Sequence, residues 1–194
     1  MSVAKWILFA AVVVEVALRI LLEIREARAA NGKMDRFAFL RIVPIVNDIF
    51  PAEANFEKKR KGGAFESAHE KAHRKEHHAF VRFAFQIGFA MFCALSLGTA
   101  GIQLDFGLFE LLFLFHLLFA VSRIFFHALC FAEEYEADAI ATKHVQHGVA
   151  KRALEALATS EYPRTALFAL VYRSHPTARM RLRKIMETRK NRHG

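Results

Sequence analysis

The sequence predicts an all-α or mainly α protein that crosses a membrane three times, on three observations. Three apolar windows are each long enough to span a bilayer, lysine and arginine crowd the flanks on one side only, and two windows are joined by just three residues. A hydrocarbon core about 30 Å thick needs about 20 helical residues at about 1.5 Å each. With 54% hydrophobic residues and a positive mean hydropathy, disorder is excluded.

The first window is Val3 to Leu22, with Trp6 where an interfacial anchor sits. Inside it Glu15 and Arg19 are one helical turn apart, so they can neutralise each other on a shared face. The "ARA" at Ala27 to Ala29 loosely fits a signal-peptide cleavage site, but it lies too far from the apolar stretch, across charged residues. The second and third windows run from Ala79 to Leu104 and from Leu108 to Phe131, with "DFG" between them. So short a connection requires an antiparallel helical hairpin.

Charge sets the expected orientation. The loop 23–78, including "KKRK" at Lys58 to Lys61, and the tail 132–194 are rich in lysine and arginine, whereas the hairpin turn has none. The positive-inside rule then puts the amino terminus outside and both basic segments in the cytosol, as in the plasma (inner) membrane of a prokaryote. The whole of 1–194 is expected to form one membrane-embedded domain. This placement accounts for most of the net charge of +9, so the lipid bilayer is the expected partner and nucleic acid is not.

One stretch does not fit a simple membrane protein. Ala68 to His78 reads "AHEKAHRKEHH". His69 and His73 are four apart, so on a helix both imidazoles can reach one ion, with Glu70 beside them. This is the HExxH pattern, in which two histidines hold zinc and the glutamate is a general base toward a zinc-activated water. Composition alone would produce it by accident about three times in a hundred, so the motif needs a third ligand to stand. Glu133 to Ala141, "EEYEADAIA", supplies a candidate just past the third window. Glu134 can be the third ligand, and Asp138, one turn on, can accept a hydrogen bond from a ligand histidine. Two crossings separate His73 from Glu134, so both segments return to the cytosolic surface.

Three motifs in order, "HEKAH", "EEYEAD" and "SHPTARMR" at Ser174 to Arg181, resemble the integral-membrane zinc metallopeptidases of the CAAX prenyl protease and HtpX heat-shock protease group. The resemblance covers about Glu66 to Ile185. It implies a cytosolic helical zinc-peptidase core in which His69, His73 and Glu134 bind one zinc ion, Glu70 is the general base, and Asp138 and His78 support the ligands. It also implies that His175 and Arg181 help polarise the scissile carbonyl or stabilise its oxyanion. Protein or peptide substrates follow, with membrane or misfolded proteins favoured over prenylated ones for so small a chain. Arg36 to Pro44, "RFAFLRIVP", is the one place for a substrate-pairing strand, or else an interfacial helix. Two other readings stay open: a non-catalytic membrane adaptor with a basic, His-rich lipid-binding collar, and a degenerate peptidase with structural zinc.

The other histidines, His77, His116, His127, His144 and His147, take structural or solvated readings, with His116 singled out because it lies deep in the third window. Cys93 and Cys130 read as packing residues.

Overall fold

The computed structural model of the chain describes residues 2–29, 38–46, 63–161 and 164–193, and among them every strand-length or longer regular element is an α-helix. In chain order these are α1 (Val3–Ala29), α2 (Ala38–Ile42), α3 (Ala64–Lys75), α4 (His78–Gln103), α5 (Leu108–His144), α6 (His147–Ser160), α7 (Ala166–Tyr172) and α8 (Ala178–His193). Among the described residues two helices, α4 and α5, are long and apolar enough to cross a membrane. The sequence reading had three. Helix α1 has the length, but Lys5, Glu15, Arg19 and Glu23 interrupt its apolar character.

The chain divides into two compact units. The first takes the described residues of Met1–Ala54 and Ala84–Phe125. Here the charges of α1 are gathered on a buried face, where Arg19, Glu23 and Glu26 lie alongside Leu8, Val12 and Leu22. Arg19 pairs with Glu15, as their spacing suggested, and also donates to the Arg41 carbonyl at 2.8 Å. Arg41, only 1% exposed, grips Glu23 with Nε to Oε1 at 2.6 Å and Nη2 to Oε2 at 2.9 Å. That two-pronged bond ties α2 to α1. His116 joins the same group: the Ile45 N–H donates to its Nδ1 at 3.2 Å, which leaves the proton on Nε2 facing Glu15 Oε2 at 3.3 Å. It is a structural tie within the first unit.

The described part of Arg36 to Pro44 is helical at 38–42, so the strand alternative fails there. Residues 36 and 37, and "KKRK" at Lys58 to Lys61, lie outside the described residues. The hairpin turn matches its expectation. Asp105 takes a positive φ of 52°, which aspartate tolerates better than most side chains, and Phe106 packs with Leu8, Ala100 and Leu111.

The second unit takes the described residues of Asn55–Phe83 and Phe126–Gly194. The Gly63 N–H at the start of α3 donates to the Glu66 carboxylate at 2.9 Å, satisfying one of the free amides of the first turn. At the other end His77, with φ of 55°, breaks the helical path between α3 and α4. Helix α5 does not stop at Phe131, where the apolar window ends, but runs on to His144. Its last turns pack through Ala141 against Phe65 of α3, Ala150 and Leu154 of α6 and Ile185 of α8. Ala141 and Ala150 are fully buried, and their small size lets the helices approach closely. Thr165 caps α7 by accepting from the Phe168 N–H at 3.2 Å, and Thr177 caps α8 by accepting from the Met180 N–H at 3.3 Å.

Replacing Arg41 alone with methionine should destabilise the protein by about 3–5 kcal/mol, because the Glu23 carboxylate is then left buried and uncompensated. Adding Glu23→Gln should recover most of that loss. Thermal unfolding of the detergent-solubilised protein checks both; an unchanged midpoint in Arg41→Met would show that the pair does not hold α2.

Candidate metal centre

The centre forms wholly within the second unit, from α3, α4, α5, α8 and the segment before α8. On α3, His69 and His73 stand one turn apart with their Nε2 atoms 3.0 Å from each other. Glu134 of α5 reaches in from the facing side. Its Oε2 lies 3.3 Å from His69 Nε2 and its Oε1 3.3 Å from His73 Nε2. Among the described residues these three side chains form the one group of histidine, cysteine or acidic donors close enough to share an ion.

Their fit to zinc can be tested on spacing and on donor chemistry. Four-coordinate zinc holds nitrogen and oxygen donors at about 2.0–2.2 Å, which keeps neighbouring donor atoms about 3.3–3.6 Å apart. The two separations from Glu134 oxygens, 3.3 Å each, match that, and the 3.0 Å between the two Nε2 atoms is a few tenths of an ångström shorter. The tautomers agree too. The His69 Nδ1–H donates to Asp138 Oδ1 at 2.9 Å, so Nε2 carries the lone pair. His73 Nδ1 lies 2.7 Å from His78 Nδ1, and His78 Nε2 lies 3.4 Å from Glu136 Oε2. A proton chain running outward from His73 through His78 to Glu136 leaves the His73 Nε2 lone pair turned inward as well. Two imidazole lone pairs and a carboxylate therefore converge, which is the donor set of a catalytic zinc site with one position open.

The break at His77 makes the second chain possible, since it turns His78 back onto His73 five residues earlier. No periodic helix pattern would show this.

Asp138 is 1% exposed and is held from two sides. Arg181 of α8 donates from Nε to its Oδ2 at 2.8 Å and from Nη2 to its Oδ1 at 2.6 Å, and Arg181 Nη1 lies 3.5 Å from Glu134 Oε2. His175 reaches the same carboxylate: its Nδ1–H donates to Glu134 Oε1 at 2.9 Å while 49% of its side chain stays exposed. Glu70 follows His69 on α3; it is exposed and makes no hydrogen bond or ion pair among the described residues. The structure thus brings His69, His73, His78, Glu134, Asp138, His175 and Arg181 into one cluster and leaves Glu70 at its edge, unengaged.

Electrostatics follow from that packing. Burial works to raise the Glu134 carboxyl, but a hydrogen bond from His175, joined by His69 and His73 whenever those rings carry a proton on Nε2, overcomes it and holds the group far below the usual carboxylate range. Burial is likewise outweighed at Asp138, which Arg181 and His69 hold down. At His69 burial favours the neutral ring, yet the Asp138 and Glu134 carboxylates raise its pKa above the ordinary value.

Sequence reasoning missed three participants. Arg82 and Glu133 form a partly buried ion pair beside Glu134. Glu161 accepts from the Ala178 N–H at 2.8 Å and from Arg173, so it clamps both ends of the segment that carries His175. Only "EE" at Glu133 and Glu134 hinted at any of this. His127, with no role in the cluster, donates from Nδ1 to the Leu170 carbonyl at 2.8 Å. Cys93 and Cys130 are free and buried, in keeping with packing roles.

No curated protein and no solved structure matches the chain. A family model does, that of Peptidase family M48, over residues 67–189. The matched stretch is more than half of the chain and contains the whole cluster, as the three motifs led one to expect, and the chain therefore belongs to peptidase family M48.

Proposed function

We propose that the chain is a membrane-bound zinc metalloendopeptidase that hydrolyses peptide bonds of membrane or misfolded proteins at the cytosolic face. The convergence of His69 Nε2, His73 Nε2 and Glu134 on one point carries the reading, supported by the family to which the chain belongs. His69, His73 and Glu134 would hold zinc, which when bound supplies a Lewis acid and brings the pKa of a water toward neutrality.

The rest of the work falls to side chains. Glu70, exposed and unengaged, accepts the proton of the attacking water and delivers it to the leaving amide nitrogen. Asp138 and His78 fix the two imidazole tautomers so that both lone pairs face inward. The half-exposed His175 would turn its Nδ1–H from Glu134 to the oxyanion that develops on the scissile carbonyl. Arg181 works through Asp138, since its guanidinium is spent on that carboxylate. An adaptor collar that binds lipid headgroups would turn its histidines outward; here His69 and His78 are buried among their partners.

The membrane reading rests on α4 and α5 and extends to α1. The charges of α1 are met from within: Glu15, Arg19, Glu23 and Arg41 cancel in pairs. The opposite face shows Ile7, Phe9, Val13, Val14, Leu18 and Leu21, all exposed, as a lipid-facing surface would. With three crossings in one membrane-embedded peptidase of residues 1–194, the positive-inside rule favours an amino terminus outside and a cytosolic centre, in the inner membrane of a prokaryote.

Glu70→Gln should keep one zinc per chain and lose proteolysis of an unfolded protein by about a hundredfold or more. His69→Ala should lose both metal and activity; full activity in either variant rejects the mechanism. A metal chelator should abolish cleavage, and added zinc should restore it. For topology, a cysteine at Ser2 should react with an impermeant thiol reagent applied to intact cells, and one at Lys143 should react only after the membrane is opened. The reverse pattern would overturn the orientation.

A further inference from the structure

Glu133 and Glu134 are consecutive in α5, and both are buried. Their carboxylates are chemically alike, and the side chain of Glu133 is as long as that of its neighbour. A zinc ion offered both could take both. Four protein ligands would close the site, whereas a hydrolytic zinc needs three and an open position.

Arg82 keeps the two apart. It lies on the first turns of α4, four residues after His78, and its Nε donates to Glu133 Oε2. Its Nη2 lies 3.7 Å from Glu134 Oε1, near enough to screen that carboxylate but too far to occupy a lone pair. The guanidinium is thus bonded to one glutamate and only adjacent to the other. The bond to Glu133 is single: Arg82 Nη2 and Glu133 Oε1 are both buried without a hydrogen-bond partner among the described residues. An arginine placed only to bury an ion pair would gain from using both prongs, as Arg41 does with Glu23. Instead, Arg82 leaves one prong beside Glu134.

We propose that Arg82 is a positioning residue that holds Glu133 away from the imidazole pair, so that Glu134 alone completes the donor set and the fourth zinc position stays open. The inference rests on the metallopeptidase reading and deepens it.

The test measures zinc affinity by competition with a chromogenic chelator, using full-length protein in detergent stripped of metal. In the native background Glu134→Gln should weaken zinc binding by about a hundredfold or more. In an Arg82→Met background the same change should cost about tenfold or less, because the released Glu133 takes its place. In the Arg82→Met, Glu133→Gln background the full cost should return. Equal costs for Glu134→Gln with and without Arg82 would overturn the proposal. Glu133→Gln with Arg82 intact tests the same point even if Arg82→Met does not fold: affinity should stay within about threefold, and a loss beyond about tenfold would make Glu133 a ligand and overturn the proposal. Wild-type protein that binds no zinc would overturn the metallopeptidase reading and this inference together. Zinc binding with unchanged dependence on Glu134 would sink the inference alone.

Discussion

A carboxylate buried against two imidazoles is the contact on which the second unit is organised. Glu134 could not remain ionised in that setting without help, since burial alone favours its neutral form. His175 donates to it, the His69 and His73 rings stand within reach, and Arg181 and Arg82 add nearby positive charge. The result is an acidic point surrounded by nitrogen atoms, with proton positions set by Asp138 and by the chain from His78 to Glu136. Such a cluster is of a kind that could hold a metal ion.

The supporting architecture is economical. Helix α5 carries Glu133 and Glu134 side by side and Asp138 one turn on, and uses Ala141, a turn further on, to pack against α3, α6 and α8. The same helix thus sets the ligand and the core. Because α3 rests on that core through Phe65, the histidines four and eight residues later come to the right height on the helix. Glu161 does for the segment before α8 what a cap does for a helix: it ties Arg173 and the Ala178 amide together, so His175 between them is held near Glu134. Each device orients a group that acts at a distance from it.

In the first unit the same physical problem, charge removed from water, has a different outcome. Glu15, Arg19, Glu23, Arg41 and His116 satisfy one another with no inward-facing lone pairs left to converge on an ion. Their effect is to let α1 present an apolar surface outward while carrying Glu15, Arg19 and Glu23 on its other side. Buried pairs of this kind rarely add much stability over apolar packing, but they fix which helix meets which.

What could be read from the chain alone is what local spacing controls. Hydrophobic runs mark α1, α4 and α5; three residues between two of them leave room only for the turn at Asp105; and a four-residue interval puts His69 beside His73, Glu15 beside Arg19 and Glu134 beside Asp138, because a helix turns once in about 3.6 residues. The grouping of His69, His73 and Glu134 was legible for the same reason, with two of its members a turn apart on one helix and the third one turn from Asp138 on another. Tertiary structure alone decided the pairings between elements. Nothing periodic links Arg41 to Glu23, Arg82 to Glu133, Glu161 to Ala178 or His116 to Ile45, since each joins residues whose distance along the chain says nothing of their distance in space. It also decided that the helical path breaks at His77, a single backbone angle that lets His78 fold back to His73. The spacing along α1 could pair Glu15 with Arg19, but only the fold could show that Arg41 answers Glu23.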